Sequence, residues 1–316
     1  MDKKIKILGA AGTPQEMVER LEREIGPVEV LSSHSEEEII KAIQDKQVFV
    51  VRSKPKVTAR IIQSAPQLKV IARPGVGIDN IDRKACEEWG IKVINTPEAS
   101  ASSVAELTIG LAITLLHYIY PTCHSLKEGK WLKEEYTGKT IEGKTWGIIG
   151  FGGIGRRVAE IVKVLRAEVL AYDPYVPDEE FTKRGVKRIL QLEELLEQSD
   201  IVSIHVVLNQ ETEGMFSEEL LHKMKKGAYL INTSRGKVIN QKALEKALEE
   251  GYLGGAALDV YEVEPPMDQE LLSLPNLICT PHIGGSTEEA FLNATEILVR
   301  KIKEIFHIKE TAPLGS

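Results

Sequence analysis

Cysteine is scarce in this 316-residue chain, with one each at positions 86, 123 and 279. An odd count, with no Cys-x-x-Cys pair and no His/Cys ligand spacing, excludes a disulfide framework and a sequence-evident zinc site. It suits a reducing compartment. Positive charge is not in excess either: 40 Lys+Arg stand against 47 Asp+Glu, a formal net charge of −7. Without a basic block, nucleic acid is not expected as a partner. Small anions remain open as substrates, because local clusters of Arg, not net charge, make anion sites. Long hydrophobic runs are missing too. The longest, from Ala105 to Ile119, is interrupted by Glu106, Thr108, Thr114 and His117, and reads as a buried helix and not a membrane span. The opening MDKKIKILGAAG goes straight into a strand-like run, with no secretory h-region. The expectation is a cytoplasmic chain with neither a nucleic-acid nor a membrane partner.

What the chain does have is an ordinary globular composition, 42% hydrophobic and 28% charged. Its length suits two domains, each able to bury a core. Short β-branched runs (Ile5–Leu8, Val28–Leu31, Val48–Val51, Leu68–Ala72, Ile91–Ile94) alternate with helical patterns at Thr13–Glu24, Ser35–Ile43, Thr58–Ser64 and Asp82–Trp89. Ser35 followed three residues later by Glu38 predicts a capping box. A second alternation opens at Thr145–Gly150, Gly153–Leu165 and Val169–Tyr172. It continues through strands at Ile201–Val206, Ala228–Asn232, Ala256–Asp259 and Leu277–Cys279. Strict alternation implies α/β architecture, two doubly wound units with parallel sheets. Ala101–Ile119 is expected as one long joining helix, and a last helix at about Glu288–Phe306 is expected to return to the first unit.

Gly150-x-Gly152-x-x-Gly155 lies between an apolar strand and an amphipathic helix. The first Gly permits a tight turn, the second lets a pyrophosphate approach the backbone, and the third lets helix and strand pack closely. The helix N-terminus then offers N–H groups and a positive dipole end to the phosphates. The next strand ends in Asp173, 18 residues beyond Gly155. A carboxylate at that distance takes the adenosine ribose hydroxyls and repels a 2′-phosphate, which points to NAD as the cofactor.

Three further segments leave charged residues just past predicted strands, the edge where doubly wound sheets bind ligands. They are Asn232-Thr233-Ser234-Arg235-Gly236, Asp259-Val260-Tyr261-Glu262-Val263-Glu264-Pro265-Pro266, and Thr280-Pro281-His282-Ile283-Gly284-Gly285. An Arg can fork onto a carboxylate and polarise the adjacent carbonyl. A His beside a carboxylate becomes a stronger base. With a nicotinamide, this is a kit for interconverting 2-hydroxy and 2-oxo acids. Spacing alone leaves Glu262 and Glu264 as alternatives for the carboxylate.

From Val51 to about Ala290 the chain resembles the D-2-hydroxyacid dehydrogenase family. The resemblance implies a flavodoxin-like substrate domain (1–98 and 288–316) interrupted by a Rossmann NAD-binding domain (99–287), with catalysis in the cleft between them. It implies catalytic roles for Arg235, for Glu264 (the one before Pro-Pro) and for His282. It places the nicotinamide-amide contact on Asp259. It extends the cofactor set from Gly150, Gly152, Gly155 and Asp173 to Gly153, Ile154, His205, Val206, Thr233, Ser234, His282 and Gly284. Within the family the likeness is greatest to the phosphoglycerate dehydrogenase branch. That branch implies substrate contacts at Arg52, Ser53, Arg73, Gly75, Val76 and Gly77, alongside Arg235 and His282, and oxidation of D-3-phosphoglycerate in serine biosynthesis.

Several positions depart from the family pattern. The loop Asn95-Thr96-Pro97-Glu98-Ala99-Ser100 replaces a Gly-Asn pair, Gly153 stands where an Arg is frequent, and Val207 replaces a Pro. The chain stops soon after its last helix, so no serine feedback through additional domains is expected. Alternatives on the same residues are a glyoxylate or hydroxypyruvate reductase, which needs no phosphate clamp, and a non-catalytic NAD(H)-sensing protein. A homodimer is expected through the 105–118 helix and the Trp131 segment. Domain closure is expected about hinges near 96–101 and 284–290.

Overall fold

The computed structural model describes residues 4–308 and divides into two units, each built round its own parallel sheet. One unit holds the described residues up to Ser100 together with those from Thr287 onward; the other is Ala101–Ser286.

The first unit's strands are β1 (Ile7–Gly9), β2 (Val28–Val30), β3 (Val48–Val50), β4 (Val70–Arg73) and β5 (Lys92–Asn95), in the order β2-β1-β3-β4-β5. That is the flavodoxin-like order. β1, β3 and β4 are apolar at consecutive positions because helices cover both faces of a parallel sheet. Leu8, Phe49 and Ile71 pack with Ile39, Ile61 and Ile62 on one face. Ile7, Val48, Val50 and Val70 pack with Met17, Leu21, Leu298, Val299 and Ile302 on the other. Burying each such side chain contributes about 1.5–3 kcal/mol. Leu298, Val299 and Ile302 belong to the helix Glu288–Phe306, whose start is set by Thr287 Oγ1 accepting the Ala290 N–H.

The predicted capping box is not formed. The helix does begin at Glu36, but Ser35 makes no side-chain cap bond. The Glu38 carboxylate instead accepts the Ser32 N–H and hydroxyl and the Ser33 hydroxyl. Three donors just before the helix outcompete the single N–H that the box would have offered.

The second unit contains β6 (Thr145–Ile149), β7 (Glu168–Tyr172), β8 (Lys187–Arg188), β9 (Ile201–Ile204), β10 (Tyr229–Asn232), β11 (Gly255–Leu258) and β12 (Leu277–Cys279). Their order is β12-β11-β10-β9-β6-β7-β8, the Rossmann order extended by one strand. Chain direction across the sheet reverses between β6 and β9, so the loops leaving these two strands flank a topological switch point. The joining helix is shorter than expected. It runs Ala101–Leu116, breaks at Tyr118 with φ 52°, and resumes as Ile119–Lys127 at a 64° bend. No single described helix is long and apolar enough to cross a membrane. Ala105, Ile109, Leu111, Ala112, Leu115 and Leu116 are buried in the unit's own core. The helix assigned to dimerisation from its apolar character is therefore largely an internal element.

Candidate active site

At the switch point two glycines of the fingerprint are required by close contacts, and the third leaves open space. Gly150 has φ 91°, and a Cβ there would lie 2.7 Å from the His205 carbonyl. A Cβ on Gly155 would lie 2.1 Å from the Gly150 oxygen. Gly152 is the opposite case: a Cβ would meet nothing within 4 Å, so its face is open. Gly152 is also the N-cap of the helix Gly153–Val164 and gives it no side-chain cap, which leaves the first-turn amides to a ligand. A tight turn, an open face and an uncapped helix start fit a dinucleotide pyrophosphate. Ile154 lies in the first turn, half-buried.

Asp173, just past β7, is fixed by two amides. Its Oδ2 accepts the Phe151 N–H of the glycine turn (2.8 Å), and its Oδ1 accepts the Tyr175 N–H (2.9 Å). His205 and Val206 follow β9. The His205 N–H donates to Ile149 (2.7 Å). Its ring Nε2 meets Ser203 Oγ (3.0 Å), which also accepts the Trp146 Nε1–H (2.9 Å). His205 Nδ1 is buried without a partner among the described residues, and burial pushes the imidazole pKa down to about 3, so the ring is neutral.

The Arg235 turn is shaped by a residue that sequence reasoning passed over. Asn232 Oδ1 accepts both the N–H and the hydroxyl of Ser234, and Asn232 Nδ2 donates to the Arg235 carbonyl. Thr233 Oγ1 lies 3.0 Å from Thr108 Oγ1, both residues buried. Arg235 Nη1 donates to the Ser234 carbonyl. The Gly236 backbone presses on Tyr261; a Cβ there would lie 1.9 Å from the Tyr261 carbonyl carbon. This contact joins the Arg235 turn to the loop carrying Glu264.

His282 Nδ1 lies 2.8 Å from Glu264 Oε2, while Glu264 Oε1 accepts the Tyr261 N–H. The structure therefore pairs Glu264, not Glu262, with the imidazole; Glu262 accepts the Gln241 N–H instead. A carboxylate against Nδ1 favours the ring proton on that nitrogen and leaves Nε2 as the acceptor of a neutral ring. His282 itself has φ 55°, an uncommon conformation for a residue with a Cβ. Buried Asp259 holds it there: its carboxylate accepts Thr280 Oγ1–H (2.6 Å) and the N–H groups of Ile283 and Gly284 (2.8 Å each). The Gly284 carbonyl accepts the Ser103 hydroxyl (2.6 Å). Asn232 carries a readable turn signal, a short amide side chain at a strand end before Thr-Ser-Arg. Thr280 and Ser103 carry none, because their partners are far away in the chain.

In the first unit the predicted substrate residues cluster at the ends of the neighbouring strands β3 and β4 and on the loops that follow. Arg73 Nε donates to the Arg52 carbonyl (3.2 Å) and its Nη1 to the Gly77 carbonyl. Asn80 Nδ2 also donates to the Arg52 carbonyl (3.0 Å). Gly75, with φ 146°, gives its N–H to Thr96 Oγ1 (2.8 Å), and Val76 is held through its carbonyl by Asn95 Nδ2 (2.6 Å). Arg52 and Ser53 are exposed. The departing Glu98 pairs with Lys301 (3.0 Å) of the C-terminal helix.

Strand order and glycine geometry together define the class: a dinucleotide-binding α/β protein of the doubly wound type. Residues 109–284 match the model of the D-isomer specific 2-hydroxyacid dehydrogenase NAD-binding domain. A D-3-phosphoglycerate dehydrogenase of Methanocaldococcus jannaschii is 43% identical over 95% of this chain and 57% of its own length. A hydroxypyruvate reductase of Thermotoga maritima is 46% identical over 87% of this chain and 90% of its own. The structure of Aquifex aeolicus D-lactate dehydrogenase with NAD and lactic acid superposes with a TM-score of 0.85 at 30% identity, covering 95% of each chain. This chain thus spans little more than half the length of the phosphoglycerate dehydrogenase relative. It belongs to the D-isomer specific 2-hydroxyacid dehydrogenase family, and residues 109–284 form the NAD-binding domain of that family.

Proposed function

We propose that the chain oxidises D-3-phosphoglycerate to 3-phosphohydroxypyruvate with NAD, the step that opens serine synthesis. The observation that carries the chemistry is the His282 Nδ1–Glu264 Oε2 pair at 2.8 Å on a loop stapled by Asp259. Bound NAD supplies the hydride acceptor. His282 Nε2 takes the proton of the substrate hydroxyl, and Glu264 stabilises the imidazolium that results. Arg235 forks onto the substrate carboxylate and polarises the oxygen on C2. Arg52 and Arg73, with Ser53 and the Gly75–Gly77 loop, hold the remaining anionic end. The Arg73 guanidinium bonded to the Arg52 main-chain carbonyl, which sets two basic residues side by side, supports the phosphorylated substrate. The cofactor contacts assigned to Gly150–Gly155, Asp173, His205, Val206, Thr233, Ser234, Asp259 and Gly284 belong to the same reading.

A second reading, reduction of glyoxylate or hydroxypyruvate, is favoured by the Thermotoga maritima relative, whose length this chain nearly spans. An initial-rate panel of phosphorylated and unphosphorylated hydroxy and oxo acids with NAD(H) and NADP(H) decides between them. Preference for unphosphorylated acids overturns the first reading. Cofactor binding without turnover on any acid overturns both, in favour of an NAD(H) sensor.

The active form in this reading is a cytoplasmic homodimer. Three free thiols agree with a reducing setting. Ile119, Tyr120, Leu126 and Trp131, exposed on one stretch of the second unit, support self-association. Sedimentation should show a dimer that Trp131→Glu weakens; a monomer at micromolar concentration would rule it out.

A further inference from the structure

Beside Asp173 stands a cation that the proposed reaction does not use. Arg188 ends the edge strand β8, in register with Ala171 of β7. Its Nη2 donates to the Asp173 carbonyl (3.1 Å), and its Nη1 pairs with the Asp178 carboxylate. Its guanidinium lies 5.1 Å over the Phe181 ring, and Phe181 stacks at 4.5 Å on Phe151 of the glycine turn. The buried Nε–H has no acceptor among the described residues. Arg188 is thus packed into the assembly that supports the glycine turn and Asp173, with donor capacity to spare.

We propose that Arg188 is a latent anchor for an adenosine 2′-phosphate, and that the Asp173 carboxylate withholds that ligand. The inference rests on the reading of Asp173 as the ribose-binding acid. Two amides hold the carboxylate in place, so it cannot swing aside for a phosphate. Arg188, in contrast, has one partner that solvent already reaches: Asp178 is 78% exposed against 21% for the Arg188 side chain, so a phosphate can replace that contact while Phe181 and the Asp173 carbonyl keep the guanidinium in place. A guanidinium–phosphate contact is a stronger, charge-assisted bond. Dinucleotide choice is then a balance between one fixed anion and one transferable cation.

The test is equilibrium binding of NAD+ and NADP+ to the full chain by calorimetry, with thermal unfolding as a check on folding. Asp173→Ser should tighten NADP+ about tenfold, near 1.4 kcal/mol, and weaken NAD+. Adding Arg188→Gln should remove most of that gain. Arg188→Gln alone, in a chain whose Asp173 anchorage is intact, should weaken NADP+ by a larger factor than NAD+. Equal NADP+ affinity in Asp173→Ser and the double variant overturns the proposal, and so do equal factors for the two dinucleotides in Arg188→Gln. If Asp173→Ser shifts neither dinucleotide, the ribose reading of Asp173 fails first. Asp173→Asn, which keeps one acceptor oxygen for the turn amides, repeats the test should the Ser variant unfold.

Discussion

The two units hold their functional groups in different ways. In the second, the polar groups are tied down on several sides: Asp259 accepts three donors, Asn232 shapes the Arg235 turn, and Gly284 is bonded through both its amide and its carbonyl. In the first, Arg73 ends a strand and bonds backbone carbonyls through its guanidinium, while Arg52 follows a strand and is exposed. Proton transfer needs an imidazole aimed to within a fraction of an ångström, whereas holding an anion needs mainly charge within reach. The tightly bonded unit should therefore govern rate and stability, and the exposed loops should govern which acid is accepted.

The largest break in that contrast comes from His282. Replacing it with Gln removes the proton carrier and should lower kcat by about 10³-fold while NADH binding, read by fluorescence, stays within a few-fold. Equal losses in rate and binding would make His282 a structural residue. A smaller effect is expected in the other unit. Arg52→Gln should raise KM for a phosphorylated acid about tenfold with kcat nearly unchanged and melting temperature constant, as expected for lost uniform binding. A drop in kcat alone would place Arg52 in the chemistry and dissolve the division between the units.

The same contrast explains what could be read from the chain beforehand. The sheets were legible because β-branched runs such as Val48–Val51 and the glycine spacing 150–155 are local signals. The final helix was legible to its ends because Thr287 caps it and its apolar face repeats regularly. Misreadings came where local signals compete. Ser32 and Ser33 drew Glu38 away from the capping box, and Tyr118 broke a helix whose apolar run continues. The short strand Lys187–Arg188 went unseen because two charged residues look like loop; it exists because the edge of β7 was there to pair with. At the site, residue types and strand-end positions were readable, while the choice of Glu264 over Glu262 depended on which carboxylate reaches His282.

An effect on stability alone, with no change in rate, sharpens the link between tight bonding and the fold of the second unit. His205 is neutral in the folded chain because burial holds its pKa near 3, against 6.5 for an unperturbed imidazole. Above pH 6.5 neither the folded nor the unfolded form carries a proton on this ring. Between 6.5 and 3 the unfolded chain takes one up and the folded chain does not, so stability falls as pH falls. The slope approaches about 1.4 kcal/mol per pH unit, giving a loss of about 2 kcal/mol by pH 5. Gln keeps an amide for the Ser203 hydroxyl but does not titrate. Urea melts of the native chain and His205→Gln at pH 7.5 and pH 5 should therefore diverge, the native chain losing more. Parallel losses would mean that the His205 ring protonates within the fold, and would remove it from the set of groups that the second unit holds in a single charge state.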